Sequence, residues 1–168
     1  MKVICLGGGI ASGKTTIARA LAAASPHSLV RSFGDIVRAR ARADGLEMDR
    51  ATLQETGIRL IAEGWPEFID ALMADVPPQL ELLIVDGIRH AEPVCELRRR
   101  FPIVPVRLVF LTTHRTVIQQ RMAQRGEPFN AIEHAIESEL RKVAETADIL
   151  VDSGEPPGKI VEKIRALA

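Results

Sequence analysis

The stretch GGGIASGKTT, residues Gly7–Thr16, constrains this chain more than any other. It follows directly on the apolar run VICLG and meets the spacing G-x-x-x-x-G-K-[ST] through Gly8, Gly13, Lys14 and Thr15. An apolar strand that breaks into glycines and then opens a helix turns successive backbone N–H groups inward. The helix N-terminus adds partial positive charge, and the resulting hollow holds phosphate oxygens. In such a loop Lys14 reaches the outer phosphates and the Thr15 hydroxyl is placed to ligate magnesium, with Gly9, Ile10, Ala11, Ser12 and Thr16 completing the cradle.

Beyond the loop, apolar runs of strand length recur at KVICLG, HSLVRSF, LELLIVDG, VRLVFLTT and DILVDS, separated by longer stretches of helical spacing. This alternation predicts an α/β fold: a five-stranded parallel sheet in three layers, with helices on both faces. Helices are expected from Lys14 to about Ala24, Asp35 to Ala43, Arg50 to Gly64, and after Trp65, where Pro66 suits a first turn. Further helices are expected over Ala91–Arg100, Arg115–Arg125, Ala131–Thr146 and from about Gly158. Three of them fall between the second and third strands. An ordinary crossover needs one, so residues 35–76 read as a helical cap over a substrate, inserted in a single domain spanning 1–168.

Charge and cysteine content exclude several alternatives. With 22 basic and 22 acidic side chains there is no global field to gather nucleic acid or anionic membrane. The basic residues are 17 Arg and 5 Lys, a bias toward the forked contacts that guanidinium makes with phosphate. Cys5 and Cys95 form neither a disulfide framework nor a metal site, and His27, His90, His114 and His134 lack ligand spacing. A soluble protein of the reducing cytoplasm is expected, since no apolar run approaches a membrane span.

A second signal is LLIVDG, an apolar run that delivers Asp86 to a strand end, where a carboxylate can hold magnesium or orient substrate. Arg121 and Arg125, spaced i, i+4 in QQRMAQRG, share a helix face and can close over a nucleotide. Arg98, Arg99 and Arg100 lie at a helix end, where positive charge complements the dipole. The Asp-x-x-Gly switch and the Asn-Lys-x-Asp guanine reader of a GTPase are missing from their expected places. Positive groups around a transferring phosphoryl point instead to a phosphotransferase.

Taken together these motifs resemble the nucleoside monophosphate kinase group of phosphate-loop kinases, which includes adenylate kinases and dephospho-coenzyme A kinases. GGGIASGKTT and RKVAETADILVDSGEPPGKIVEKI are similar to the opening and the C-terminal pattern of dephospho-coenzyme A kinases. FGDIVR resembles the Gly-Asp-x-x-Arg motif of adenylate kinases, and DGIR their Asp-Gly-x-Pro-Arg motif without its proline. The resemblance implies ATP and Mg2+ as donor and cofactor, Arg38 and Arg89 on an acceptor phosphate, Gln54 near an acceptor base, and Ser153 and Gly154 beside the adenine. A large lid is missing: only GEPFNAIEH separates Arg125 from the next helix, and Arg141 is a candidate substitute for a lid arginine.

Two acceptor chemistries ask different things of Asp35. A phosphate monoester is already an anionic nucleophile that Arg38 and Arg89 need only hold, whereas an alcohol benefits from a carboxylate that orients it and takes its proton. The paired arginines favour a nucleoside monophosphate or similar small phosphate ester. Lys14, Arg121 and Arg125 are then expected to stabilise the transferring group. The alternatives are a hydroxyl acceptor, such as dephospho-coenzyme A, a nucleoside or a modified base in DNA, and a non-catalytic nucleotide-binding module. DNA would use a stripe of Arg31, Arg38, Arg40 and Arg42. Asp35 can also serve as a helix cap, and Trp65 and Phe68 as core or as pocket wall.

Overall fold

A computed structural model describes residues 1–124, 126 and 134–167, the side chains of 134–137 apart. Five strands, β1 (Lys2–Gly8), β2 (Ser28–Ser32), β3 (Leu82–Ile88), β4 (Val106–Thr112) and β5 (Ile149–Asp152), form one sheet in the order β2-β3-β1-β4-β5. Every neighbouring pair is parallel. Eight helices are described: α1 (Lys14–Ala23), α2 (Phe33–Ala43), α3 (Arg50–Glu63), α4 (Trp65–Met73), α5 (Glu92–Arg100), α6 (Arg115–Gln124), α7 (His134–Glu145) and α8 (Pro157–Leu167).

Burial on both faces explains why the strands read as continuous apolar runs. On β1, Ile4 and Leu6 pack toward Ile17, Ala18 and Leu21 of α1 and Ile160 and Ile164 of α8. Val3 and Cys5 face the other way, toward Ile69 and Leu72 of α4, Leu97 of α5 and Val143 of α7. Each fully buried Leu or Ile contributes roughly 1.5–3 kcal/mol, so both layers are needed to hold a sheet of this width. Burial also pushes the Cys5 thiol up to about 12.

The helices α2, α3 and α4 occupy the crossover between β2 and β3, where the sequence places the cap. One boundary differs from expectation. Helix α2 begins at Phe33, because the Ser32 side chain accepts a hydrogen bond from Gly34 N at 3.1 Å and fills the N-cap position. Asp35 therefore lies inside the first turn and is not the cap.

The sheet grows from β1 in two directions, through β3 and β2 on one side and β4 and β5 on the other. At such a switch point the following loops diverge, and a crevice opens beyond the carboxyl ends of the strands.

Candidate active site

The loop after β1 sits in that crevice. Gly8 has φ 143°, and a Cβ there would lie 2.8 Å from Ser12 Oγ and 2.9 Å from the Leu111 carbonyl, so only glycine lets the loop turn this tightly against β4. The N-cap of α1 is Gly13, which makes no side-chain cap, so the first N–H groups of α1 are left for an anion. Lys14 curls back over the loop: its ammonium donates to the carbonyls of Gly8 at 2.8 Å and Gly9 at 2.7 Å and to Ser12 Oγ at 3.2 Å. The lysine thus occupies the hollow in which phosphate would lie.

Asp86 stands next to it. The register of β1 on β3 slips after Leu6 and Asp86, with Gly87 at φ 94° forming the irregularity, and bulges of this kind re-aim neighbouring side chains. Thr15 Oγ1 donates to Asp86 Oδ2 at 2.7 Å. Asp86 is 6% exposed, and its other oxygen, Oδ1, is buried without a hydrogen-bond partner among the described residues. A buried carboxylate oxygen left bare beside a threonine hydroxyl is the donor set that a hard divalent cation takes, so these two residues fit magnesium. No group of three or more His, Cys, Asp or Glu that would make a separate metal site occurs among the described residues.

Arg121 joins the loop to the far end of the sheet. Its Nη1 donates to the Ala11 carbonyl at 3.0 Å and Ser153 Oγ at 3.3 Å, and its Nη2 to the Ser153 carbonyl at 2.8 Å. Ser153 is itself buried, with its hydroxyl 2.8 Å from that of Thr113, and the Gly154 N–H donates to Asp152 Oδ1 at 2.8 Å. Beneath Arg121 runs a groove of about 240 Å³, lined among others by Thr16, Ile17, Gln124, Glu155, Pro157 and Ile160. Its position between loop and β5 turn, with apolar walls and polar groups on either side, suits a nucleotide base. Gln124, Glu155, Pro157 and Ile160 were not read from sequence as site residues. They come from two distant segments that only the β4–β5 pairing brings together.

On the opposite side of the loop lie the acceptor candidates. Arg38 Nη2 and Asp35 Oδ1 form an ion pair of 2.5 Å, with the side chains 43% and 70% exposed. Arg89 follows the last residue of β3, three positions after Asp86; it is exposed and has no ion pair or hydrogen bond with the described residues. Gln54 is exposed on α3, and no hydrogen bond joins it to Arg38 or Arg89. Arg125 and the residues from 127 to 133 lie outside the described residues, and Arg141 is exposed on α7.

Other arginines are committed elsewhere. Arg31 donates to the Ala74 carbonyl at 2.8 Å, and Arg40 pairs with Asp44 and Glu63, which leaves little of the basic stripe that DNA would require. Arg98 binds Asp148, Arg99 binds Glu96, and Arg100 binds Asp70. No described helix is long and apolar enough to cross a membrane.

Comparison with known proteins agrees with this architecture. Among solved structures, the Deinococcus radiodurans tunicamycin resistance protein is similar, with 21% identity, TM-score 0.68, and 98% of this chain and 94% of that chain covered. Shikimate kinase from Aquifex aeolicus is 20% identical, with TM-score 0.64 and the same coverage. A gluconokinase from Sinorhizobium meliloti is 20% identical, with TM-score 0.56 over 98% of this chain and 90% of that chain. No curated protein matches the chain. The AAA domain family matches residues 4–142, from β1 through most of α7. On that match and on the sheet order, the chain belongs to the AAA domain family and has the fold of its phosphate-loop kinases.

Proposed function

We propose that the protein transfers the γ-phosphoryl group of ATP to a nucleoside monophosphate or a similar small phosphate ester. The kinase class rests on the family and the fold; the acceptor rests on Arg89. A guanidinium exposed at the end of β3, unpaired among the described residues and three positions from Asp86, is available to an anion that enters beside the phosphate loop. Arg38, one turn into α2, supports the same anion once its pair with Asp35 opens.

In the reaction an oxygen of the acceptor phosphate attacks the γ-phosphorus in line, the bond to the β–γ bridging oxygen breaks, and ADP leaves. A phosphate ester needs no base to begin. Lys14 exchanges its loop carbonyls for phosphate oxygens, and Arg121, with Arg125, adds positive charge where the transition state spreads negative charge. Thr15 and Asp86 would hold Mg2+, which supplies further neutralisation of the phosphates. Ser153 and Gly154 border the adenine, and the cap over 35–76 excludes water from the transfer.

One observation favours a second reading. Asp35 is 70% exposed at the mouth of the same site, and a carboxylate there can orient an alcohol and take its proton. The names of two structural neighbours point the same way, since shikimate and gluconate offer hydroxyls. Radiolabelled ATP incubated with nucleoside monophosphates and, separately, with nucleosides and hydroxy acids decides between them, with Lys14→Ala as the background. Label on monophosphates supports the proposal; label on alcohols alone replaces it with the second reading; hydrolysis alone, with tight ATP binding, refutes both.

A further inference from the structure

Arg89 is exposed and has no ion pair or hydrogen bond with the described residues, so its direction is set by the chain on either side of it. On one side β3 ends at Ile88, which the sheet holds against Gly7. On the other side, outside the sheet ladder, no backbone hydrogen bond among the described residues fixes Arg89 or His90. Neighbouring Cα atoms are only about 3.8 Å apart, so whatever anchors the His90 ring also locates Arg89.

His90 meets two elements at once. Its Nδ1 lies 3.8 Å from Glu139 Oε2 on α7, too far for a hydrogen bond and close enough for an ion pair once the imidazole is protonated. Its ring centroid lies 5.6 Å from that of Trp65 on α4, at 50°, within the range where a cation gains from an indole face. Both neighbours are themselves held. Trp65 stacks on Phe68 at 5.9 Å and meets Phe33 edge-on at 6.4 Å, and both phenylalanines are buried. Glu139 accepts a hydrogen bond of 2.7 Å from Lys142 through Oε1, which leaves Oε2 toward His90 and holds the carboxyl below its usual range.

Helix α7 also lies on the donor loop. A Cβ on Gly9 would stand 3.9 Å from Leu140 Cδ1, and one on Gly7 3.2 Å from Val143 Cγ1. His90 therefore joins the connection that carries Arg89 to the cap through Trp65 and to the phosphate loop through α7. The remaining charged groups around it are accounted for: Lys142 is paired with Glu139 and also feels Glu92 of α5, Glu96 is committed to Arg99, and Arg89 is the like charge next in the chain.

We infer that His90 is a positioning residue of the acceptor site: as a cation between Glu139 and the Trp65 ring it fixes the connection 89–91 and so holds Arg89 ready for the acceptor phosphate. The inference rests on the phosphate-acceptor reading, in which Arg89 takes that phosphate. As a neutral ring His90 loses both attractions, and Arg89 is free to turn into solvent.

The test reads binding and does not depend on transfer. With the donor site filled by a non-hydrolysable ATP analogue, calorimetry gives Kd for AMP, CMP, GMP and UMP, and the tightest of them is used throughout. An imidazole changes charge between about pH 5 and 8, so wild type and His90→Gln are compared at about pH 6 and about pH 8.5. The ratio of their Kd values cancels the titration of the ligand's own phosphate. His90→Gln should weaken binding about fivefold at the lower pH, the scale of a partly exposed charge contact, and less than about twofold at the higher. At the lower pH Glu139→Gln should weaken it comparably, and the double variant should lose little more than either single one, because the two residues act as a pair. Trp65, the single tryptophan, reports the contact directly: acidification should quench its emission in wild type and leave it unchanged in His90→Gln. Binding by no monophosphate overturns the phosphate-acceptor reading and the role of His90 with it. Binding with a Kd ratio that is the same at both pH values, additive losses in the double variant, or equal quenching in wild type and His90→Gln overturns the inference alone and leaves His90 a structural neighbour of Arg89.

Discussion

Replacing Asp86 by Asn separates a site residue from a structural one, because the two roles predict opposite changes in stability. In the structure the Asp86 carboxylate is 6% exposed, accepts one hydrogen bond from Thr15 Oγ1 at 2.7 Å, and leaves Oδ1 buried without a partner among the described residues. A buried polar atom without a partner costs about 1–3 kcal/mol, and a charged one costs more. Asn keeps the acceptor for Thr15 and removes the charge while leaving one group unsatisfied, so the expected net gain in the nucleotide-free protein is about 1 kcal/mol. For a chain of this length that is a rise in Tm of about 2–4 °C. Loss of the magnesium ligand acts in the other direction once nucleotide is present. At a hundred times Kd, ATP analogue with Mg2+ stabilises the native protein by about 2.7 kcal/mol, or roughly 5–10 °C, and most of that increment should vanish in the variant. Phosphoryl transfer should fall by at least about a hundredfold, the scale of losing metal-assisted charge neutralisation. Differential scanning fluorimetry with and without nucleotide and Mg2+ reads both effects. A nucleotide-free variant that melts below the wild type, while retaining the full Mg2+-dependent increment, would refute the reasoning and make Asp86 a structural residue of β3.

Arg121→Ala removes three hydrogen bonds that join the phosphate loop to the β5 turn, at 2.8, 3.0 and 3.3 Å. With partial solvent screening, the expected cost is about 1–2 kcal/mol in stability, together with a rise of about tenfold or more in KM for ATP. Chemical denaturation and steady-state kinetics check this, and a change in neither removes Arg121 from the site. Ala11 has φ 54°, in the left-handed region. Ala11→Gly should be neutral within about 1 kcal/mol, whereas Ala11→Val should destabilise by about 1–2 kcal/mol or more because a branched Cβ opposes that backbone; equal effects would show that the strain is not there.

The elements were legible in the sequence to the extent that their burial is periodic or continuous. LLIVDG and VRLVFLTT are strands because both their faces are covered, and each of the eight helices starts within a few residues of the position its spacing or its proline indicates. The start of α2 was misjudged because Asp35 is as good a cap as Ser32; which of them caps depends on where β2 stops, and pairing with β3 carries that strand through Ser32. Chemistry confined to one segment was legible too, including the phosphate loop and the i, i+3 spacing that lets Asp35 pair with Arg38.

What sequence could not supply is who faces whom across the sheet. Nothing local tells Arg121 to seek the carbonyls of Ala11 and Ser153, residues that the order β1-β4-β5 brings beside it. His90, read as having no chemical role, reaches Trp65 only because α4 packs against α5 beyond the end of β3. The bare oxygen of Asp86, next to the irregular register at Gly87, likewise becomes visible only once β1 and β3 are paired.

The claim that matters most is a two-sided site, with donor phosphates on the loop and an acceptor phosphate on Arg89. Its most direct test is the pair of KM values, for ATP and for the best nucleoside monophosphate, in wild type and Arg89→Ala. Loss of a charge-assisted contact to phosphate should raise the acceptor KM by about a hundredfold and leave the ATP KM within about twofold. An unchanged acceptor KM, or a defect confined to ATP, would contradict the account.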